Sequence, residues 1–403
     1  MTSRERVLKA LNFKAVDRVP KDLGGMASTG ISAFAYPKLV KALGLPPRRP
    51  RAYDTFQMLA LPDMDVLDAL GCDAVTISGY ATNAFEQKEL WKPYNFNGRL
   101  DALVRDPASF QDQPDGSIKC GDMLMVPASH VFDLVHGGQP VCWDEDLPKQ
   151  DLKEVKKDLE KASLKDSEIR DYVALCKRAR ESTDKAVFFN GPIGTGLSIG
   201  AQGGLGVFPL LCVTEPDYVQ EYHEIMCEFS IRKLRALLPE IRPCVDIVMM
   251  AADDWGTQSS LMASPAVFRD LFRPYLRRVN DECHSIAPEV KTFLHSCGAI
   301  YELIDDIIAS GFDILNPVQW TAGGRPYAEW KDKCRNRIAL WGGGVNAQKT
   351  LPFGSVEEVA KETAEIVSCL KRDSGYVFNS IHNILAEIPP EKIIAMYKAA
   401  ASA

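Results

Sequence analysis

No Cys-x-x-Cys pair occurs anywhere in this chain, although it holds 11 cysteines. Thiols spread so irregularly argue against a disulfide framework and for a reducing cytoplasm. No stretch is apolar for the roughly 20 residues that a bilayer crossing demands. The amino terminus, MTSRERVLKALNF, has no apolar core of the signal-peptide kind. Positive charge is in deficit: 47 Lys and Arg stand against 54 Asp and Glu, a net charge of -7. That balance disfavours nucleic acid or an anionic membrane surface as a partner. Internal repeats and low-complexity tracts are missing as well. What remains is 46% hydrophobic and 25% charged, the make-up of an ordinary globular protein. A cytoplasmic protein is expected. Its 403 residues have room for several domains, but α/β barrels run this long as a single one.

Eight short β-branched or apolar runs punctuate the chain, most of them followed by a helical stretch. They lie at 18–25, 74–79, 187–194, 246–254, 291–298, 314–319, 338–344 and 376–384. Several are almost continuously apolar, as parallel strands covered on both faces should be. The intervening helices carry start signals. Ser264-Pro265 sets an N-cap before a proline at the first helical position, Ser355-Val-Glu-Glu358 is a capping box, and Pro389-Pro390 opens the last helix. Eight strands alternating with helices predict an α/β fold, a (β/α)8 TIM barrel. One region breaks the alternation. From about residue 82 to 165 the chain runs through LWKPYNF, MLMVPASHVFDL and HGGQPVCW and then a Lys- and Asp-rich stretch. This reads as an insertion after the second strand of a single domain spanning 1–403, serving as a lid or substrate-binding subdomain, or as a stabilising excursion.

Chemistry-bearing residues cluster at the predicted carboxyl ends of the strands, the face where barrels assemble their sites. Asp22 follows the first strand and Asn190 lies in the third. Asp253 and Asp254 close the fourth, Asn316 and Gln319 the sixth, Gly342 to Gly344 the seventh, and Asn379, His382 and Asn383 the eighth. The fifth run, Lys291-Thr-Phe-Leu-His295-Ser-Cys297-Gly298, ends in a nitrogen and a sulfur donor two residues apart. Alternate residues of a strand share a face, so His295 and Cys297 can aim at one point, as Zn²⁺ prefers. The competing reading is a structural cysteine beside a core histidine. Gly342 to Gly344 can bind phosphate or can simply pack backbone closely.

Taken in order, these segments resemble the uroporphyrinogen decarboxylase superfamily, which also holds cobamide-dependent and coenzyme M methyltransferases. The resemblance begins at Thr2-Ser-Arg-Glu-Arg-Val-Leu8 and Asp17-Arg-Val-Pro20. It continues through Asp253-Asp-Trp-Gly-Thr-Gln258, His295-Ser-Cys-Gly298, Leu315-Asn-Pro-Val-Gln319 and Gly342-Gly-Gly344, and ends at His382-Asn-Ile384 and Ile388-Pro-Pro-Glu-Lys392. The decarboxylases carry an arginine-bearing segment after the first strand, suited to gripping porphyrinogen carboxylates. Here Gly24-Gly-Met-Ala-Ser-Thr-Gly-Ile-Ser32 has no arginine. The methyltransferases resemble this chain more, with a zinc site of His-x-Cys and a third ligand after the last strand.

That resemblance implies His295, Cys297 and His382 as zinc ligands, with Asp254 or Glu387 as an alternative oxygen donor. It departs from the family pattern in placing histidine where cysteine is usual, since no cysteine follows Cys369. The departure points to the ether-cleaving rather than the thiol-methylating branch. So do Tyr53 to Asp63, Gly71-Cys-Asp73 and Gly194-Thr-Gly196, which resemble O-demethylase-like members. The implied activity moves a methyl group from a methoxylated aromatic, or a related small donor, to a Co(I) corrinoid. No Asp-x-His-x-x-Gly signature is present, so the corrinoid is expected on a separate protein. The expected roles are Asp254 as catalytic acid, its pKa raised by Asp253, or as the group that orients an acid through Gln258, and Asp22, Asn190, Gln258, Asn316 and Gln319, all near strand ends, as substrate-binding groups. A homodimer is implied as well. Trp91, Tyr94, Phe96 and Phe132 of the insertion either line a phenyl pocket or form ordinary core. The alternatives are a coenzyme M-type methyltransferase, a uroporphyrinogen-type decarboxylase and a non-enzymatic barrel that binds a small ligand.

Overall fold

The computed structural model describes residues 1–134 and 147–403; the 136–143 piece of the expected insertion lies outside them. Seven parallel strands run in the spatial order Ala74–Ser78, Ala186–Asn190, Ile247–Ala252, Lys291–His295, Ile314–Asn316, Ala339–Trp341 and Tyr376–Val377. The eighth position is filled by the segment around Lys21, which closes the ring between the first and last of these. Phe378 donates its N–H to Pro20 O at 2.8 Å and accepts from Asp22 N–H at 2.9 Å, and Asp73 N–H reaches Lys21 O at 2.7 Å. The expected barrel is therefore present. Its first strand is far shorter than the 18–25 run suggested, because Pro20 has no N–H to give and Gly24 turns the chain with φ +79°.

Two helix starts match their signals. Ser264 Oγ accepts from Val267 N–H at 3.4 Å. Ser355 and Glu358 exchange the two bonds of the capping box at the head of Val356–Leu370. Among the described residues no helix is long and apolar enough to cross a membrane, and every described cysteine is unpaired.

The barrel interior is packed solid. Phe188, Phe293 and Trp341 meet edge to face at centroid distances of 4.8, 5.7 and 6.0 Å, a favourable ring geometry. Above them lies Asp22, wholly buried, accepting from Trp341 Nε1 at 3.0 Å and from Gly25 N–H at 2.9 Å. Burial raises this carboxyl to about 6 even against those donors. A second buried carboxylate, Asp73, ties the amino-terminal helix Ser3–Leu11 to the barrel. It accepts from Arg6 Nη1 at 2.7 Å, from Arg18 at 2.7 and 2.9 Å, and from Lys21 N–H at 2.9 Å.

The insertion forms small antiparallel sheets on the barrel. Lys92–Asn95 pairs with Asp101–Val104. Four strands, Phe110–Asp112, Ile118–Cys120, Met123–Met125 and Asp133–Leu134, make a second sheet, and the helix Leu152–Lys161 follows. A further excursion, not foreseen, is the three-stranded sheet of Ile31–Ser32, Ala52–Asp54 and Leu59–Ala60 after the first barrel position. Its strands are two or three residues long, too short to carry a periodicity.

The two buried carboxylates yield separate tests. Replacing Asp73 with Ala removes the carboxylate partner of Arg18 and one of the two that hold Arg6, which keeps Asp17, and is predicted to cost ~2–4 kcal/mol, read by urea unfolding; a loss below about 1 kcal/mol would contradict the account. For Asp22 the folded state holds the proton more tightly than the unfolded chain, whose aspartates titrate near about 3.9. Its favourable contribution is complete below that pH and is lost as pH rises through about 6. Relative to Asp22→Asn, the wild type should lose about 2 kcal/mol between pH 4 and pH 7. A gap between the two proteins that stays constant with pH would contradict this.

Candidate functional site

His295 is the last residue of its strand, paired in register with Asn316 on one side and Ala252 on the other. That register sets its ring. Asn316 Nδ2 donates to Trp341 O at 2.8 Å, which fixes the amide so that Oδ1 faces His295 Nδ1 at 2.5 Å. An amide oxygen only accepts, so Nδ1 carries the proton and Nε2 keeps its lone pair. Cys297 Sγ lies 3.2 Å from that lone pair.

The convergence has a cause different from strand alternation, because the strand stops at His295 and Cys297 stands in the loop beyond it. Two side chains from neighbouring strand ends hold that loop. Asp254 Oδ1 accepts Cys297 N–H at 2.8 Å, and Gln319 Oε1 accepts Gly298 N–H at 2.8 Å. Gly298 has φ +88°, and a Cβ there would sit 2.2 Å from Gly256 O. Only glycine lets the two loops meet.

His382 completes the cluster. Its ring stands edge-on to His295 at a centroid distance of 5.7 Å. One ligand atom from each of His295, Cys297 and His382 lies within 4.8 Å of the others, close enough for all three to reach one small cation. Burial, then the neighbouring His295 ring, lowers His382 to about 4, so its imidazole is neutral at physiological pH. Burial pushes the Cys297 thiol well above its ordinary range, and the nearby Asp254 carboxylate adds to that. A dication would reverse this tendency, since a coordinating thiol gives up its proton. Two imidazoles, one oriented by an outer hydrogen bond at Nδ1, and a thiol form a donor set that fits zinc.

The remaining candidates divide by position. Asn316 is fully buried and acts through His295 as a positioning residue. Gln319 positions the Cys297 loop. Asp254 is half exposed, its Oδ1 3.6 Å from His295 Nε2. Asp253 faces the other way, accepting from Ser198 Oγ, Ile199 N–H and Trp255 Nε1 at 2.6 to 3.0 Å. Burial lifts Asp253 to about 7, with Asp254 a minor contributor. Gln258 is exposed and exchanges hydrogen bonds with Gln348 and Thr321 O at the rim. Asn190 is half-buried at the end of its strand, and Asp22 is sealed in the interior with Trp341 and Gly25 as partners. Glu387 pairs with His130 Nδ1 at 2.8 Å rather than joining the cluster.

Beside His382 opens a cavity of about 510 Å³, whose lining includes Phe56, Phe132, Leu385, His130 and Glu387. Of the four insertion aromatics, Phe132 lines it; Tyr94 and Phe96 pack with Phe110 in the main core, and Trp91 packs with Leu61 and Ala81. Sequence reading missed Phe56 and His130, whose role depends on three distant loops meeting at one mouth and leaves no local signal.

Comparison with known proteins agrees with this architecture. Residues 113–403 match the family model described as uroporphyrinogen decarboxylase (URO-D). The chain is 22% identical over 294 residues to the chloroplastic uroporphyrinogen decarboxylase of Zea mays, covering 72% of this chain and 70% of that protein. It is 22% identical over 285 residues to the uroporphyrinogen decarboxylase of Vesicomyosocius okutanii, covering 69% and 77%. Among solved structures, a methyltransferase from Methanosarcina mazei superposes with a TM-score of 0.55 at 16% identity, over 100% of this chain and 99% of that one. At that identity the likeness speaks for the barrel fold. With a match across most of its length, the chain belongs to the uroporphyrinogen decarboxylase (URO-D) family of enzymes.

Proposed function

We propose that this protein is a zinc-dependent methyltransferase. It would move a methyl group from a methoxylated aromatic, or a related small donor, to a Co(I) corrinoid carried by a separate protein. The observation that carries the reading is the approach of His295, Cys297 and His382 to within 4.8 Å of one another, with the His295 lone pair fixed by Asn316. Three protein donors leave a position free, as catalytic rather than structural zinc sites do.

In this reading the O–CH₃ bond of the donor breaks, a CH₃–Co bond forms, and the departing phenolate takes a proton. Zinc, when bound, supplies Lewis acidity that makes the aryl oxygen a better leaving group. His295, Cys297 and His382 would hold it. Asn316 keeps the His295 ring in one tautomer and one orientation. Asp254 holds the Cys297 loop by its amide and, being exposed beside His295, would deliver the proton to the leaving oxygen. The cavity next to His382 would seat the aromatic ring against Phe56 and Phe132.

Two observations weigh against the decarboxylation named for the Zea mays and Vesicomyosocius okutanii relatives. The 24–32 segment has no arginine, and among the described residues no lysine or arginine lines the cavity. A porphyrinogen with many carboxylates would find no guanidinium partner there.

Elemental analysis of the purified protein should find about one zinc per chain in the wild type, as a single three-donor site predicts, and none in Cys297→Ser. Asn316→Ala should retain the ligands but bind zinc about 10–100-fold more weakly. Metal retained at full affinity in both variants would overturn the assignment. With free cob(I)alamin as acceptor, Asp254→Asn should keep its zinc yet demethylate 2-methoxyphenol about 100-fold more slowly. An unchanged rate would remove Asp254 from the mechanism.

A further inference from the structure

We infer that the cavity beside His382 selects its methyl donor by charge, taking uncharged aryl methyl ethers and rejecting their carboxylated analogues, with Glu387 setting the preference. The inference rests on the donor-binding role proposed above. Its evidence lies in the cavity's own walls.

The charged groups on those walls have one sign. Asp133 and Glu387 line the cavity, and among the described residues no lysine or arginine does. Among the described lining residues the basic side chains are His382 of the ligand cluster and His130, whose Nδ1 is already bound to Glu387 Oε1 at 2.8 Å. Arg99 approaches this wall, but its guanidinium is committed to the carbonyl oxygens of Pro127 and Ser129 at 2.7 and 2.8 Å and does not line the cavity.

The remaining surface is suited to a neutral ring with a hydroxyl. Phe56, Phe132 and Leu385 supply apolar contact. Asn383 and Gln57, also on the lining, are tied by Asn383 Nδ2 donating to Gln57 Oε1 at 2.7 Å, a polar pair at which a phenol can hydrogen-bond. Moving a carboxylate against the Asp133 and Glu387 wall, away from the ligand cluster, removes its hydration with no lysine or arginine on the lining to pair it, and the two like charges there raise the cost further. His382 belongs both to this lining and to the ligand cluster, so a donor selected here already stands beside the reacting centre.

Calorimetric titration of the zinc-loaded protein at pH 7.5 tests this with two probes, 2-methoxyphenol and 4-carboxy-2-methoxyphenol. The wild type should bind the carboxylated probe at least about ten-fold more weakly. Glu387→Gln should narrow that gap, and Glu387→Arg should abolish or invert it. The Glu387 side chain is 64% exposed, so both variants are expected to fold. Equal or tighter binding of the carboxylated probe by the wild type would overturn the inference while leaving the proposed function standing. An unchanged gap in Glu387→Arg would overturn the role of Glu387. Failure of both probes to bind a protein with its full zinc content would overturn the donor-site reading itself, and this inference with it.

Discussion

The site depends on one amide. Asn316 sits at the end of a three-residue strand with no freedom to turn, because its Nδ2 is held by the Trp341 carbonyl of the next strand. Everything at the barrel mouth inherits that orientation. The amide oxygen fixes the His295 proton on Nδ1, the proton fixes the lone pair on Nε2, and the lone pair faces Cys297 and the space shared with His382. The same strand that supplies Trp341 O also carries the indole that caps Asp22 in the interior. A chain of short contacts thus links the packed centre of the barrel to its open end. Such an arrangement exists only where three neighbouring strands stop in register, which parallel pairing of Lys291–His295, Ile314–Asn316 and Ala339–Trp341 provides.

The electrostatics of the mouth divide along the same line. Asp253 and Asp254 are neighbours in sequence and opposite in environment. One is buried among Ser198, Ile199 and Trp255 and lifted to about 7; the other is half exposed and holds the Cys297 amide. Burial, not mutual repulsion, is the larger influence on Asp253. The buried carboxyl acts as a fastener for the loop after Ala186–Asn190, and the exposed one is left to face the site. On the other side of His382 the cavity wall is apolar with two carboxylates. The two halves of the mouth thus differ in kind: one brings together two imidazoles and a thiol, the other is a largely apolar cavity whose charged walls are carboxylates.

Much of this was legible in the sequence, and what was not has physical reasons. Near-continuous apolar runs with helices between them identified the barrel, because strands covered on both faces need no polar alternation. His295 and Cys297 stood out by spacing, yet the geometric argument for them was incomplete. The strand ends at His295, and Cys297 is brought round by Asp254 and Gln319 acting on the loop backbone. Asn316 and Gln319 were legible as polar groups at a strand end but not as supports for the ligands, since that role depends on cross-strand register. The sheet of Ile31–Ser32, Ala52–Asp54 and Leu59–Ala60 left no periodic trace. The lining of the cavity by Phe56, His130 and Glu387 joins residues more than 250 positions apart, a separation that no local pattern encodes.

The central claim is that one zinc ion is held by one sulfur and two imidazole nitrogens of this chain. X-ray absorption at the zinc edge of the purified protein addresses it directly. The account predicts a shell of one sulfur at about 2.3 Å and two histidine nitrogens at about 2.0–2.1 Å, with a light atom completing the coordination. A spectrum with no sulfur shell, or one fitted by several sulfurs and no imidazole, would contradict it.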